Sequence, residues 1–186
     1  LSETYGGPHG RKYSDMDFVS PGQVVKSITI RTGERVNGVG INVVDPLGKP
    51  HLVYHGSYGG DNNTLTLRKD EYVTSIEAHW GEYHSHTRVR FIEFKTSAGN
   101  TISGGTRATK IGKESAIEGY QVGGFFGTDG EELDSVGVIW TSITPVPTPW
   151  PTPVPRRWPN LVVHPGGKLN LSGTFGVVSL SSLQER

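Results

Sequence analysis

Residues 127–134 read Gly-Thr-Asp-Gly-Glu-Glu-Leu-Asp, a short run that gathers glycines and carboxylates between two apolar stretches. Gly127, Asp129 and Gly130 tolerate positive φ, so the backbone can turn tightly and present its N–H groups. Asp134 closes the loop just where regular strand pairing resumes. Backbone donors facing one fixed carboxylate suit the hydroxyls of a sugar, because each hydroxyl both donates and accepts. The same acids could be imagined as the pair of a glycoside hydrolase, which needs two carboxylates roughly 5–10 Å apart. Asp129, Glu131 and Glu132 are neighbours on one polar loop, with nothing beside them to hold a proton, so solvated loop acids are the plainer reading. His84 and His86 alternate on a strand and share a face, with His79 close by. Without cysteine or a clear carboxylate ligand they predict no metal centre. Serines and histidines occur in no recognisable nucleophile context.

The elements that must position this loop are strands. Phe125 and Phe126 end one, and Val136, Val138 and Trp140 alternate in the next, the period-two pattern of a half-buried strand. Comparable stretches run over residues 24–31, 39–44, 51–55, 64–67, 72–80, 88–96, 101–103 and 120–122. With the short strands on either side of the Gly6-Gly7 loop they make about a dozen, at the spacing of an all-β fold. Residues 110–119 are polar and read as loop. Trp80 and Trp140 read as core residues; Trp150 and Trp158 lie in proline-rich surroundings.

The loop-plus-strand unit repeats. Gly33-Glu34-Arg35-Val36-Asn37-Gly38-Val39-Gly40 lines up with Gly130-Glu131-Glu132-Leu133-Asp134-Ser135-Val136-Gly137. A third copy begins at Gly81-Glu82, and the three Gly-Glu pairs are almost evenly spaced. Gly-Gly pairs at Gly6-Gly7, Gly59-Gly60 and Gly104-Gly105 form a second series with a similar period, which predicts a threefold architecture.

Composition narrows the function. The 186 residues carry 18 Lys and Arg against 18 Asp and Glu, so no nucleic-acid or membrane partner is expected. No stretch approaches the roughly 18 apolar residues of a membrane span. There is no cysteine to indicate a redox compartment. The start carries neither an initiator methionine nor a signal-like segment, as in a processed form or an excised fragment. Residues 144–155 place proline at every second position, an extended polyproline II spacer or a plain stiff tail. Residues 156–186 are too short for an independent core, and Leu169, Leu171, Phe175, Val177, Val178 and Leu180 suggest a docking hairpin.

Three phrases together resemble the jacalin-related lectins: Tyr5-Gly6-Gly7-Pro8-His9-Gly10, Ile28-Thr29-Ile30-Arg31-Thr32-Gly33-Glu34-Arg35-Val36, and the stretch from Gly124 to Gly137. The resemblance covers residues 3–142, and the order of the phrases is closer to microbial members. It implies a β-prism of three four-stranded antiparallel sheets about a pseudo-threefold axis. It also implies a domain at residues 1–143, followed by the linker at 144–155 and the tail at 156–186. A sugar would lie between the Gly-Gly loop and the Gly-x-x-x-Asp loop, with no metal and no other cofactor. Carried over residue by residue, Gly10 offers a backbone N–H, Gly130, Glu131 and Glu132 frame the ligand, and Asp134 accepts from its hydroxyls. The third loop lies beside that site in related lectins, so Tyr83 and His84 are secondary contacts. The Gly-Gly loop is not preceded by a chain break, and the ligand loop holds Glu131 and Glu132 in place of aromatics. Both features favour mannose/glucose-type glycans over galactose. The paired glutamates should repel acidic glycans, whereas Arg11 and Lys12 stand where some animal members contact them; a solvated strand end is preferred for that pair. At the Gly33 loop, Asn37 replaces the aspartate, which predicts a weak or dead second site.

The function readings are a non-catalytic lectin, a glycan-targeting module of a larger secreted enzyme, toxin or adhesin, and a structural prism working through protein contacts. Gly10, Gly130 and Asp134 argue against the last. Secretion or cell-surface display is expected, with homo-oligomerisation left open.

Overall fold

The computed structural model describes residues 1–147, and the expectations for the rest of the linker, the tail, Trp150 and Trp158 lie outside the described residues. Among the described residues twelve strands form three antiparallel four-stranded sheets, the β-prism that the resemblance implies. The first sheet has the order β1-β12-β11-β2, from Tyr5–Gly6, Leu133–Ser142, Tyr120–Asp129 and Arg11–Ser14. The second has the order β5-β4-β3-β6, from Pro50–Gly56, Val36–Val44, Val24–Thr32 and Asp61–Thr66. The third has the order β10-β7-β8-β9, from Lys110–Ser115, Val73–Tyr83, His86–Thr96 and Thr101–Gly105.

Alternation aims one face of each sheet at a shared interior. Ile28, Ile30, Val39 and Ile41 come from the second sheet, Ile76, Ala78, Ile92 and Phe94 from the third, and Val122, Phe125, Val136 and Val138 from the first. Phe94 and Phe125 meet across the sheets with ring centroids 5.7 Å apart, a tilted contact of the kind aromatic quadrupoles favour. Trp80 and Trp140 pack on the edge of this core as half-buried residues, and the Trp140 indole donates to Glu114 at 2.7 Å.

The pseudo-threefold relation shows in the irregularities. In each sheet one extra residue bulges from an inner strand, Lys26 in β3, Thr74 in β7 and Gly123 in β11, and another from its hairpin partner, Asn37 in β4 opposite Arg31–Thr32, Arg90 in β8 opposite His79–Trp80, and Asp134 in β12 opposite Thr128–Asp129. Each bulge adds twist that helps a sheet wrap the core. Thr32, Trp80 and Asp129 are therefore equivalent, and so are Gly33, Gly81 and Gly130 after them.

Two sequence expectations change here. Residues 110–115 are strand β10, not loop; it is a polar edge strand held to β7 by backbone pairing from Lys110↔Trp80 to Ser115↔Ser75. Gly81 is not in a loop but in β7, opposite Arg88. The chain turns later, at His84 and Ser85, both with positive φ (48° and 64°). The third hairpin is thus longer than the other two. Past it the equivalence resumes at Arg90, whose carbonyl accepts from Thr106 N–H at 2.8 Å, as the Asp134 carbonyl accepts from Gly7 and the Asn37 carbonyl from Ser57, both at 2.9 Å.

Candidate functional site

The β11–β12 loop is closed by one short bond, Gly130 N–H to the Glu132 carbonyl at 3.0 Å. Its counterpart at β3–β4 is closed in the same way, Gly33 N–H to the Arg35 carbonyl at 2.9 Å. The loop delivers Asp134 to the second position of β12, buried at 3 % exposure. Across from it comes the loop between β1 and β2. Gly10 has φ +87°, and a Cβ there would collide with the Asp134 carboxylate and stand 2.5 Å from the Asp129 carbonyl. Glycine is needed on both counts. A Cβ on Gly130 would stand 3.7 Å from Asp134 Oδ2. Gly10, Gly130 and Asp134 are therefore neighbours around one carboxylate oxygen, with Glu131 exposed at the loop tip.

The strands around it are cross-linked by side-chain bonds. Asp129 Oδ2 accepts from Gly56 N–H at 2.8 Å, tying the end of β11 to β5. His55 bonds Asp15 at 2.6 Å, and the other Asp15 oxygen accepts from Phe125 N–H at 2.9 Å. Tyr13 stacks on His55 at 3.9 Å and donates to the Ser135 carbonyl at 3.1 Å.

Glu132 is not free to meet a ligand through its side chain. Arg35 Nη2 holds one of its oxygens at 2.5 Å and Arg88 Nε the other at 3.0 Å. The same Arg88 donates from Nη1 to Asp134 Oδ1. The like-charge repulsion expected from paired glutamates therefore falls mainly on Glu131. Burial pushes the Asp134 carboxyl up from the ordinary range, while Arg88 pulls it back.

Tyr83 and His84 sit at the tip of the third hairpin. Arg35 and Arg90 both lie over the Tyr83 ring, their guanidinium carbons 4.6 and 5.2 Å from its centroid. Its hydroxyl accepts from Arg35 at 3.1 Å and donates to Glu34 at 3.2 Å. Tyr83 is thus engaged with the β3–β4 loop. His84 packs edge-on against it at 4.3 Å, and it is His86 that meets His9 of the first loop, at 5.5 Å. His79 is buried, bonded to Glu77 at 2.7 Å and to Ala108 N–H at 3.1 Å.

The β3–β4 loop repeats the geometry with altered chemistry. Gly60, with φ +71°, faces the Asn37 side chain as Gly10 faces Asp134. Arg11 and Lys12 are exposed on β2, paired with Asp129 and Thr128.

Arg88 and Arg35 are the neighbours that reading the sequence misses. The signal for Arg88 is the surplus length between Gly81 and Arg90, which only the second Gly-Gly series reveals: Gly105 stands to Arg90 as Gly6 stands to Asp134.

A family description, the jacalin-like lectin domain, matches residues 2–139. The chain belongs to the jacalin-like lectin family. Jacalin-like lectins are non-catalytic carbohydrate-binding proteins. One relative, named Secreted RxLR effector protein 19 from Plasmopara viticola, is 31 % identical over 153 residues, which is 78 % of this chain and 81 % of that protein. Malaysian banana lectin superposes with a TM-score of 0.67 at 21 % identity, over 75 % of this chain and 96 % of that one. A structure described as a mannose-binding jacalin-related lectin from Ananas comosus gives 0.67 at 20 % identity, over 75 % and 95 %. At such identity the two structures speak for this jacalin-like fold.

Proposed function

We propose that this jacalin-like lectin binds mannose/glucose-type glycans reversibly, without catalysis, where Gly10, Gly130, Glu131, Glu132 and Asp134 meet. The observation that carries the reading is the Asp134 carboxylate, buried yet turned toward the open backbone of Gly10 and Gly130. A carboxylate so placed accepts two sugar hydroxyls, while the loop backbone donates to the ring oxygen and the O6 hydroxyl. The mannose-binding description of the Ananas comosus neighbour supports the same ligand class. Tyr83 and His84, at the tip of the third hairpin, are the proposed contacts for the outer residues of an extended glycan. Exposed Glu131 disfavours acidic glycans.

Residues 1–143 are proposed as the lectin domain, with a linker over 144–155 and a tail over 156–186. Secretion or display at a cell surface is supported by the name of the Plasmopara viticola relative. A glycan-targeting role for a larger secreted protein uses the same binding step.

A monosaccharide held at about 1 mM gains only about 4 kcal/mol in all, and a hydrogen bond to a charged acceptor contributes about 1.5–3 kcal/mol net. Calorimetric titration with methyl α-mannoside, a mannose oligosaccharide and a galactoside control tests the reading, beside Asp134→Ala. Millimolar mannoside binding, tighter for the oligosaccharide and lost in the variant, is the expected result. A folded protein that binds neither mannose ligand overturns the mannose assignment and sends the question to a broad glycan screen.

A further inference from the structure

Arg88 lies in the added length of the third hairpin and reaches sideways into the first sheet's loop. Its two contacts there, Nη1 with Asp134 Oδ1 and Nε with Glu132 Oε2, engage two carboxylates at once. Arg35 caps the far oxygen of Glu132. A chain of alternating charge, Asp134–Arg88–Glu132–Arg35, thus runs through all three pseudo-repeats. It leaves the other Asp134 oxygen, Oδ2, facing Gly10 and Gly130.

We infer that Arg88 is a positioning residue for sugar binding, which holds the Asp134 carboxylate charged and in one rotamer with Oδ2 presented to the ligand. The inference rests on the proposed sugar reading of this loop. A carboxylate at 3 % exposure has little water to stabilise its charge and takes up a proton more readily than a solvated one unless a cation faces it. The groups facing Asp134 are Arg88 from β8, Glu132 from its own loop, His9 from the β1–β2 loop and Asp129 from β11. Arg88 and His9 favour the charged form, and the two acids oppose it. Of these two, Arg88 is the one in direct contact. A planar fork that bridges two acids also fixes orientation, which an ammonium does less well. Sugar hydroxyls donate to the charged form. Binding therefore fades as pH falls through the Asp134 pKa, and removing Arg88 shifts that loss toward neutral pH.

The test is titration of methyl α-mannoside into the wild type, Arg88→Met and Arg88→Lys between about pH 7.5 and about pH 5, repeated with His9→Asn to remove the neighbouring imidazole. For Arg88→Met the affinity at the upper pH is reduced, and the ratio of upper to lower affinity grows at least about threefold over the wild type's. Arg88→Lys keeps the wild-type pH profile with weakened binding. In parallel, the Asp134 carboxyl carbon is titrated by NMR without ligand, and its midpoint rises in Arg88→Met. An Arg88→Met variant that binds as tightly as wild type with the same profile, or more tightly, overturns the inference, since Arg88 would then be a bystander or a competitor. If Arg88→Met does not fold, an acid limb that moves in Arg88→Lys overturns it. If wild type ignores mannoside, the sugar reading fails, while the NMR midpoint still decides what Arg88 does to Asp134.

Discussion

At the scale of single residues, the proposed site depends on Gly10, which cannot be exchanged for a near relative. Gly10 combines a left-handed backbone with a Cβ direction filled by Asp134. Gly10→Ala should cost about 1–3 kcal/mol of stability through backbone strain and abolish mannoside binding, read by thermal melting and calorimetry. Asn37 is the converse case, with the right place and the wrong chemistry. Its amide faces Gly60 within a loop closed like the Gly130 loop. Asn37→Asp should raise the mannoside stoichiometry from one toward two per chain, and an unchanged stoichiometry would show that the carboxylate alone does not make a site. The Gly130–Asp134 loop was legible in the sequence because its acceptor and its turn residues are local. Arg88 was not, because its contacts are tertiary and the residues that bring it there are pairing partners on another sheet.

At the scale of elements, the strands with clean alternation were legible and the polar ones were not. β10 exposes Lys110, Ile111 and Lys113 and buries no side chain, so no apolar pattern marks it; backbone pairing with β7 alone makes it a strand. The third hairpin misleads in another way. Gly81, a residue type that signals turns, sits mid-strand, while His84 and Ser85 take the left-handed turn positions. The connection entering β7 carries its own anchor. Glu71 accepts from the Thr96 hydroxyl at 2.6 Å, the Arg68 N–H at 3.0 Å and the Asn100 amide at 2.7 Å. These bonds, the Thr96 hydroxyl first, lower its pKa from 4.5 to about 2. A depressed carboxylate contributes stability that is fully present above its unfolded value and is lost as pH falls through the folded one. Urea midpoints should therefore decline between about pH 5 and about pH 2, and Glu71→Gln should flatten part of that decline while lowering the neutral-pH midpoint. A variant with the wild-type slope would mean that Glu71 is not ionised differently in the two states.

At the scale of the molecule, three sheets share one interior, so a central side chain supports all of them. Phe94 is fully buried and meets Phe125 from another sheet. Phe94→Ala should cost about 3–5 kcal/mol, read as a lower urea midpoint with an unchanged slope. The pseudo-threefold plan was legible in the recurring glycines. Its breakdown in the third hairpin was not, since length inserted inside a repeat leaves the first half of the motif intact. That one departure brings Arg88 to Asp134, so the asymmetry of the prism is also what equips one of its three loops.

The direction of β11 has a practical consequence. The strand runs from Tyr120 to Asp129, about 30 Å of extended chain, so the Gly119 turn and the Gly130–Asp134 loop stand at opposite ends of the prism. Gly119 has open space where a Cβ would be, and Glu118 beside it is exposed. The chain has no cysteine, so Glu118→Cys would give the protein a single thiol. Biotinylated there and captured on a streptavidin chip, every molecule would lie with its Gly130–Asp134 loop pointing into the flow, and an immobilised array of uniform orientation would follow from one substitution.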